Sequence, residues 1–484
     1  MTQTKVQNPE IAETRNTLLY GLEDKPHFFE ALLVALQHVL AIFVGVITPP
    51  LIICNAIGLS AEDTGYVVSM SLFISGLATF IQVRKFGWVG SGLLSIQGTS
   101  FSFVGPILAA GLSVTEGGGT PQEALSLVFG LCFFGAFVEI ILSRFLHLAS
   151  KIITPLVTGT IVMIIGLTLI KVGVTSMGGG VPAQNDGTFG SLPNLAVAGL
   201  VLLTIIGFNC SRNAYLRMAS VAIGLVVGYV VASFFGMVNF SSLSGLPLIS
   251  APIPLRYGMS FDFFAFLPFI LLYLITTIES IGDLTATSAA SGEPVSGSTY
   301  IRRIKGGVLG DGINSLIAAF FNTFPNTTFS QNNGVIQITG VGSRYIGYFI
   351  AAILALLGIF PIVGGIFQTL PQAVLGGATV IMFGSIVVAG IKILLSVELD
   401  RRALILVSTS LAIGLGVTYT PDILNNLPPV IKNVFSSGIS AGGLTAIVLN
   451  LLLPRESMER ETEAMPEAEL EPESVPSYSD SKSD

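Results

Sequence analysis

Two carboxylates, Glu279 and Asp283, stand four residues apart in FDFFAFLPFILLYLITTIESIGDLTATSAAS, a stretch that is apolar for four turns upstream. On a helix this spacing places both on one face, roughly 6 Å apart. An ionised carboxylate at the centre of a membrane helix costs about 2.5–3.5 kcal/mol. Two of them out of water resist ionising together, so at least one is expected to hold a proton near neutral pH. A proton-coupled carrier needs that chemistry. The blander alternatives are a face that meets water at a span end and a purely structural pair.

A second concentration of polar groups runs from Asn326 to Gly342, NTTFSQNNGVIQITGVG, with Asn326, Thr327, Thr328, Ser330, Gln331, Asn332, Asn333 and Gly334 almost consecutive. At membrane depth such a run must line a protein-enclosed cavity, because its polar groups have no partner in lipid. A polar-interrupted span is also the best pointer to a transporter's binding site. A water-exposed loop between spans is the alternative. Gln37-His38 sits within ALLVALQHVLAIFVG, and His38 is read either as a hydrogen-bonded link to the acidic span or as a ligand or proton group. Asp311, in GGVLGDGINSLIAAFF, is assigned a supporting role near a helix end, as a cap or a bond to the short helix that follows, and Glu139 is expected to pair with Arg144.

The elements that position these groups are membrane spans. The 484 residues are 51% hydrophobic and 11% charged, with a mean hydropathy of +0.79, which is no ordinary soluble composition. Apolar runs long enough to cross roughly 30 Å of hydrocarbon are 28–54, 61–83, 92–111, 121–143, 151–173, 192–210, 215–236, 262–285, 305–322, 326–342, 344–360, 372–393, 401–419 and 437–453. The fold class expected is therefore an all-α polytopic membrane protein with about fourteen crossings. Pro421 to Phe435 reads as a short amphipathic piece at the interface. Connections after even-numbered spans hold Arg84, Lys85, Arg144, Lys151, Arg212, Arg217, Arg302, Arg303, Lys305, Arg344, Lys392, Arg401 and Arg402, whereas the odd ones hold Lys171, Arg256 and Lys432. That bias places the even connections and both termini in the cytoplasm.

Fourteen spans invite a division into two halves of seven. The third and tenth are the poorest in lipid-facing residues, and they share a core: Thr99-Ser100-Phe101-Ser102 and Thr327-Thr328-Phe329-Ser330. Seven spans per half invert the second half relative to the first. Each of the two is expected to be an extended half followed by a short helix. The extended pieces would pair near mid-membrane, and the helix N-termini would face one polar space.

Other chemistries find little support. There is no Walker sequence, GxSxG, HExxH or acidic metal motif within the spans, and His27, His38 and His147 are scattered, so neither a catalytic nor a metal site is expected. Basic residues flank the spans instead of forming an aromatic-interleaved patch, which excludes nucleic acid as a partner. Cys54, Cys132 and Cys210 lie in apolar stretches without CxxC spacing and read as small buried hydrophobes. The first 26 residues lack the apolar core of a signal peptide. The stretch from Arg455 onward, with ten acidic and three basic residues of the chain's 29 and 22, accounts for the whole net charge of −7 and reads as a disordered acidic tail.

The run Gln331-Asn332-Asn333-Gly334-Val335-Ile336-Gln337-Ile338-Thr339-Gly340 resembles the signature of the nucleobase–ascorbate transporter family, nucleobase:cation symporter 2. Gln37-His38, GTSFSF in the third span, and Glu279 with Asp283 resemble it too, so the likeness covers the hydrophobic body and leaves out the tail. The resemblance implies a seven-plus-seven inverted repeat. It gives a core domain from 27–145 and 259–362 and a gate domain from 146–258 and 363–454, flanked by a cytoplasmic segment at 1–26 and the tail at 455–484, with dimerisation through the gate. It implies that Glu279 and Gln331 hold the edge of a base. Ser330 and the strand of the third span, Ser102 included, would complete the site, with Phe103 stacking on the ring. Asp283, Asp311, His38 and Gln37 would support the site or the proton path, and Asn332 would fix its geometry; no cofactor is implied. Gln at 331 fits the family's purine carriers, since an amide offers donor and acceptor to an oxidised purine. Ser102 stands where xanthine-selective members have Asn, which leaves room for uric acid.

The expected function is proton-coupled import of xanthine and/or uric acid through the inner membrane. A uracil or broader nucleobase permease, a channel or anion carrier of the same architecture, and a membrane-embedded enzyme are the competing readings.

Overall fold

The computed structural model describes residues 18–146, 154–213, 216–217, 219–238, 249, 251–329, 331–360, 366, 369–395, 397–428, 431–432, 435 and 437–454. Among them the helices are α1 (Phe28–Ala56), α2 (Ala61–Arg84), α3 (Val104–Glu116), α4 (Pro121–Leu142), α5 (Pro155–Met177), the short α6 (Gly180–Asn185), α7 (Leu192–Asn209) and α8 (Ser220–Phe234). The later part of the chain adds α9 (Phe263–Ala290), α10 (Gly297–Phe320), α11 (Gln331–Thr339), α12 (Arg344–Ile359), α13 (Gln372–Leu394), α14 (Arg401–Tyr419) and α15 (Gly438–Leu452). Two three-residue strands, β1 (Gln97–Thr99) and β2 (Asn326–Thr328), complete the list.

Eight of the described helices (α1, α2, α4, α5, α7, α9, α13 and α14) are long and apolar enough to cross a membrane. Large apolar side chains stay uncovered on their outer faces and on α8, with Leu203 67% and Phe234 86% exposed. In lipid that exposure carries no hydrophobic cost. The chain is a polytopic, helical membrane protein.

Local chemistry sets many of the helix starts. Thr120 and Glu123 form a reciprocal capping box at α4, Ser60 caps α2, and the Asp262 carboxylate accepts from the Ala265 N–H at 2.7 Å to open α9. Each supplies an acceptor to an otherwise orphaned N–H. Helix α10 begins at Gly297 and not at 305, so Arg302, Arg303 and Lys305 lie in its first turns instead of in a connection. The reason is local: Arg303 pairs with Glu293 at 2.6 Å, which holds this charged end at the surface while the apolar turns beyond it enter the core.

The long helices pack in definite pairs: α2 with α12, α4 with α10, α5 with α13, α7 with α8, and α14 with α15. At the centre β1 and β2 run antiparallel, with Gln97 opposite Thr328, Gly98 opposite Thr327, and Thr99 opposite Asn326. Flanking bonds from Ser100 N to Pro325 O (2.8 Å) and from Phe329 N to Ile96 O (3.0 Å) extend the ladder. Non-helical backbone at membrane depth is tolerated only with such internal partners.

Just before α1, Tyr20 bridges to Val341, and Arg344 N bonds Leu22 O at 3.0 Å, so residues 20–22 are tied to the body of the protein. Cys210 is exposed, unlike buried Cys54 and Cys132, because it ends a helix whose face is open to lipid. Of the amphipathic piece, the described residues give a turn of 3-10 helix at Pro421–Leu424 and helical residues at 431, 432 and 435. His147, Lys151 and the acidic stretch from Arg455 lie outside the described residues.

Candidate functional site

The continuous helix α9 brings Glu279 and Asp283 half-buried to a cavity of about 60 Å³. Phe101 and Ser102, in the turn of 3-10 helix that joins β1 to α3, line it from one side. Thr327 and Thr328 of β2, Phe329, and Gln331 at the start of α11 line it from the other. Val162 and Ile165 of α5 and Ile386 of α13 close it with apolar side chains. The turn that leads into α3 and the start of α11 therefore both lie at this space, where the positive ends of helix dipoles favour an acceptor-rich ligand.

The acids are held from different sides. Ser102 Oγ donates to Glu279 Oε2 at 3.0 Å, and Thr328 Oγ1 donates to Asp283 Oδ2 at 3.3 Å. One carboxylate is thus tied to the turn before α3 and the other to β2. The Thr287 hydroxyl lies 2.8 Å from Asn333 Oδ1 and fixes α11 against α9.

The position of Phe329 rests on two glycines. A Cβ on Gly98 would lie 2.3 Å from its ring, and one on Gly45 of α1 would lie 2.5 Å away. Only the absence of a side chain at both lets the ring sit between α1 and β1.

His38 departs from the expected link to the acidic span: its partner lies on α11 and not on α9, and it is absent from the cavity wall. Fully buried, its Nδ1 faces Asn332 Oδ1 at 3.1 Å. Asn332 Nδ2 donates to Phe329 O at 3.0 Å, so its oxygen is turned to the imidazole and Nδ1 carries the hydrogen. His38 and Asn332 thereby bolt the start of α11 to α1. Gln37 is half-buried, with its Oε1 unpartnered.

Asp311 neither caps a helix nor bonds α11. It lies inside α10, fully buried, and takes hydrogen bonds from Gln82 Nε2 of α2 and Ser280 Oγ of α9, both at 2.5 Å. Gln82 also donates to Gly307 O at 2.8 Å and accepts from Ser91 N at 2.9 Å. Intrahelical capping is impossible for a residue whose own turn is already bonded, so the carboxylate looks outward to its neighbours. Phe103 packs edge-on against Tyr273, 4.7 Å between ring centres, and near Phe269 at 6.3 Å. The ring in this turn that lines the cavity is instead Phe101. In a turn of 3-10 helix successive side chains are spread about 120° apart, so Phe101 and Phe103 point different ways, which the pattern FSF did not resolve. Ser330 lies outside the described residues.

Glu139 also departs from expectation. It is 1% exposed and faces the protein interior, while Arg144 lies over the Trp88 ring, 5.2 Å from its centre. The two sit on different sides of the helix end, so no pair forms between them. Sequence reading also missed Gln82, Ser280, Phe101 and Thr287. A polar residue within an apolar span would have flagged Gln82, and the repeat of Phe101 at Phe329 would have flagged that ring.

A family model described as "Permease family" matches residues 29–423. Xanthine permease XanP of Escherichia coli K12 is 52% identical over 448 residues, which cover 92% of this chain and 97% of that protein. Xanthine permease XanQ of the same organism is 49% identical over 445 residues, covering 92% and 96%. In fold, murine Slc26a9, an anion transporter solved in its inward-facing state, aligns with a TM-score of 0.56 at 14% identity over 93% of this chain and 73% of that one. With the family match spanning most of the chain and the cavity built from the segments that carry the family's signature, the protein belongs to the nucleobase:cation symporter 2 permeases, on the branch that holds these two xanthine permeases.

Proposed function

We propose that this permease imports oxidised purine bases, xanthine and/or uric acid, together with protons. The observation that carries the reading is the meeting of Glu279 and Gln331 in one cavity, with Ser102 bonded to the acid. A carboxylate and an amide side by side match the mixed donor and acceptor edge of such a base. Phe101 and Phe329 offer flat surfaces for the ring. Asp283 and Asp311 support the proton path, while His38 and Asn332 fix the geometry. The names of the two relatives point to the same substrate class.

The working architecture is an inverted repeat of seven plus seven crossings. In its support, a shift of seven crossings turns the α2–α12 pair into the α10–α4 pair, and the α7–α8 pair into the α14–α15 pair. The same shift maps β1–β2 and α5–α13 onto themselves. The core domain is 27–145 with 259–362, and the gate domain is 146–258 with 363–454. Both termini face the cytoplasm, by the charge bias of the connections, and two copies join through the gate domain.

Uptake of labelled xanthine in cells lacking their own carriers tests this. Unlabelled xanthine and uric acid compete while uracil does not, and a protonophore abolishes accumulation. Uptake that survives the protonophore, or that uracil blocks equally well, overturns the reading.

A further inference from the structure

Glu139 has no part in the cavity described above, yet it is the most enclosed acid on α4. Its Oε1 is buried without a hydrogen-bond partner. Helix α10 crosses α4 so closely at this level that a Cβ on Gly312 would lie 3.0 Å from Ile140 N and 3.3 Å from Ala136 O. That contact sets Asp311, the neighbour of Gly312, against the turn that bears Glu139. The charged groups acting on Glu139 are Asp311 from α10 and Glu279 from α9.

The donors nearby are already committed. Gln82 Nε2 and Ser280 Oγ bond Asp311, and Tyr273 Oη donates to Cys132 O at 2.8 Å. On its own helix Ser143 Oγ donates to Ile140 O at 2.6 Å, and Arg144 is taken up by Trp88. Glu139 forms no ion pair among the described residues. An acid buried without a cation or a full set of hydrogen bonds is costly by several kcal/mol. In a membrane protein such residues mark ion and proton routes. The one counter-charge small enough for this packing is a proton.

We propose that Glu139 is a further proton station of the transport cycle, exchanging a proton between Asp311 and the end of α4 that carries Arg144. The transfer breaks an O–H bond at Asp311 and forms one at Glu139 Oε1, so one negative charge moves the other way and no other reactant is needed. Glu139 touches no substrate; it acts on the site through Asp311. The inference rests on the proton-coupled reading above and adds a route to it.

Purified protein in proteoliposomes, probed with labelled xanthine, separates the two. Equilibrium exchange of xanthine needs no net proton transfer, whereas accumulation driven by an imposed pH gradient does. Glu139→Gln is expected to keep exchange within about two-fold of wild type while gradient-driven accumulation falls at least about ten-fold. Glu139→Asp restores part of the accumulation with a displaced pH profile. Wild-type accumulation and pH profile in Glu139→Gln overturn the proposal. So does a joint loss of exchange and accumulation that Glu139→Asp fails to relieve, since that is a packing role. Wild-type protein indifferent to the gradient would instead reject proton coupling itself.

Discussion

The two strand-to-helix segments, β1 into α3 and β2 into α11, start alike and end differently. Each passes from a three-residue strand through a Phe into a short helix, and the strands pair with one another. In the first, α3 runs 13 residues, VGPILAAGLSVTE, and Phe101 leans edge-on against Phe383 of α13, 5.4 Å between ring centres. In the second, α11 runs nine residues, QNNGVIQIT, and Phe329 lies between Gly45 and Gly98 while Asn332 is held by His38. The first segment thus packs against a helix across the cavity, and the second is fastened to its own neighbours. The same local scaffold is held from opposite sides in its two copies. Packing partners made that difference.

What the two segments share is the cavity that Glu279 enters between them, so its removal gives the largest effect. Glu279→Gln is expected to lower xanthine uptake more than about 100-fold with normal membrane content, because it removes the charge that Ser102 serves. Near-normal uptake would mean the cavity is not the binding site. Next, Gly98→Ala forces the Phe329 ring aside, an overpacking worth about 1–3 kcal/mol. Gly105→Ala, in the first segment, meets nothing nearer than 3.6 Å and should be close to neutral. Thermal melting of both proteins in detergent checks the contrast, and equal losses would erase the asymmetry described above.

Gln331→Ala removes the amide and should weaken competition by unlabelled xanthine about ten-fold, at roughly 1.4 kcal/mol per decade. The smallest effect is on preference. Ser102→Asn enlarges the first segment's contribution and should shift the ratio of xanthine to uric acid uptake a few-fold toward xanthine. An unchanged ratio would place selectivity elsewhere in the cavity.

Much of the frame was legible in the chain. Runs of apolar residues long enough for the bilayer mark the helices, and caps such as Thr120 and Asp262 mark where several of them begin. Glu279 with Asp283, and the polar run around Gln331, stood out because polar groups in lipid are costly whatever surrounds them. The start of α10 was misplaced because its charged turns look like a connection until Glu293 is seen beside Arg303.

By itself, then, the sequence determined that the protein lives in a membrane, that it carries many apolar helices, and which side chains are too polar to face lipid. These follow from transfer energies that each residue carries with it. Only the tertiary structure decided that His38 meets Asn332, 294 positions away, that Phe101 and not Phe103 lines the cavity, and that Glu139 is buried in the interior while Arg144 goes to Trp88. Which group satisfies a buried polar atom depends on how helices distant in the chain pack, and no local spacing encodes that.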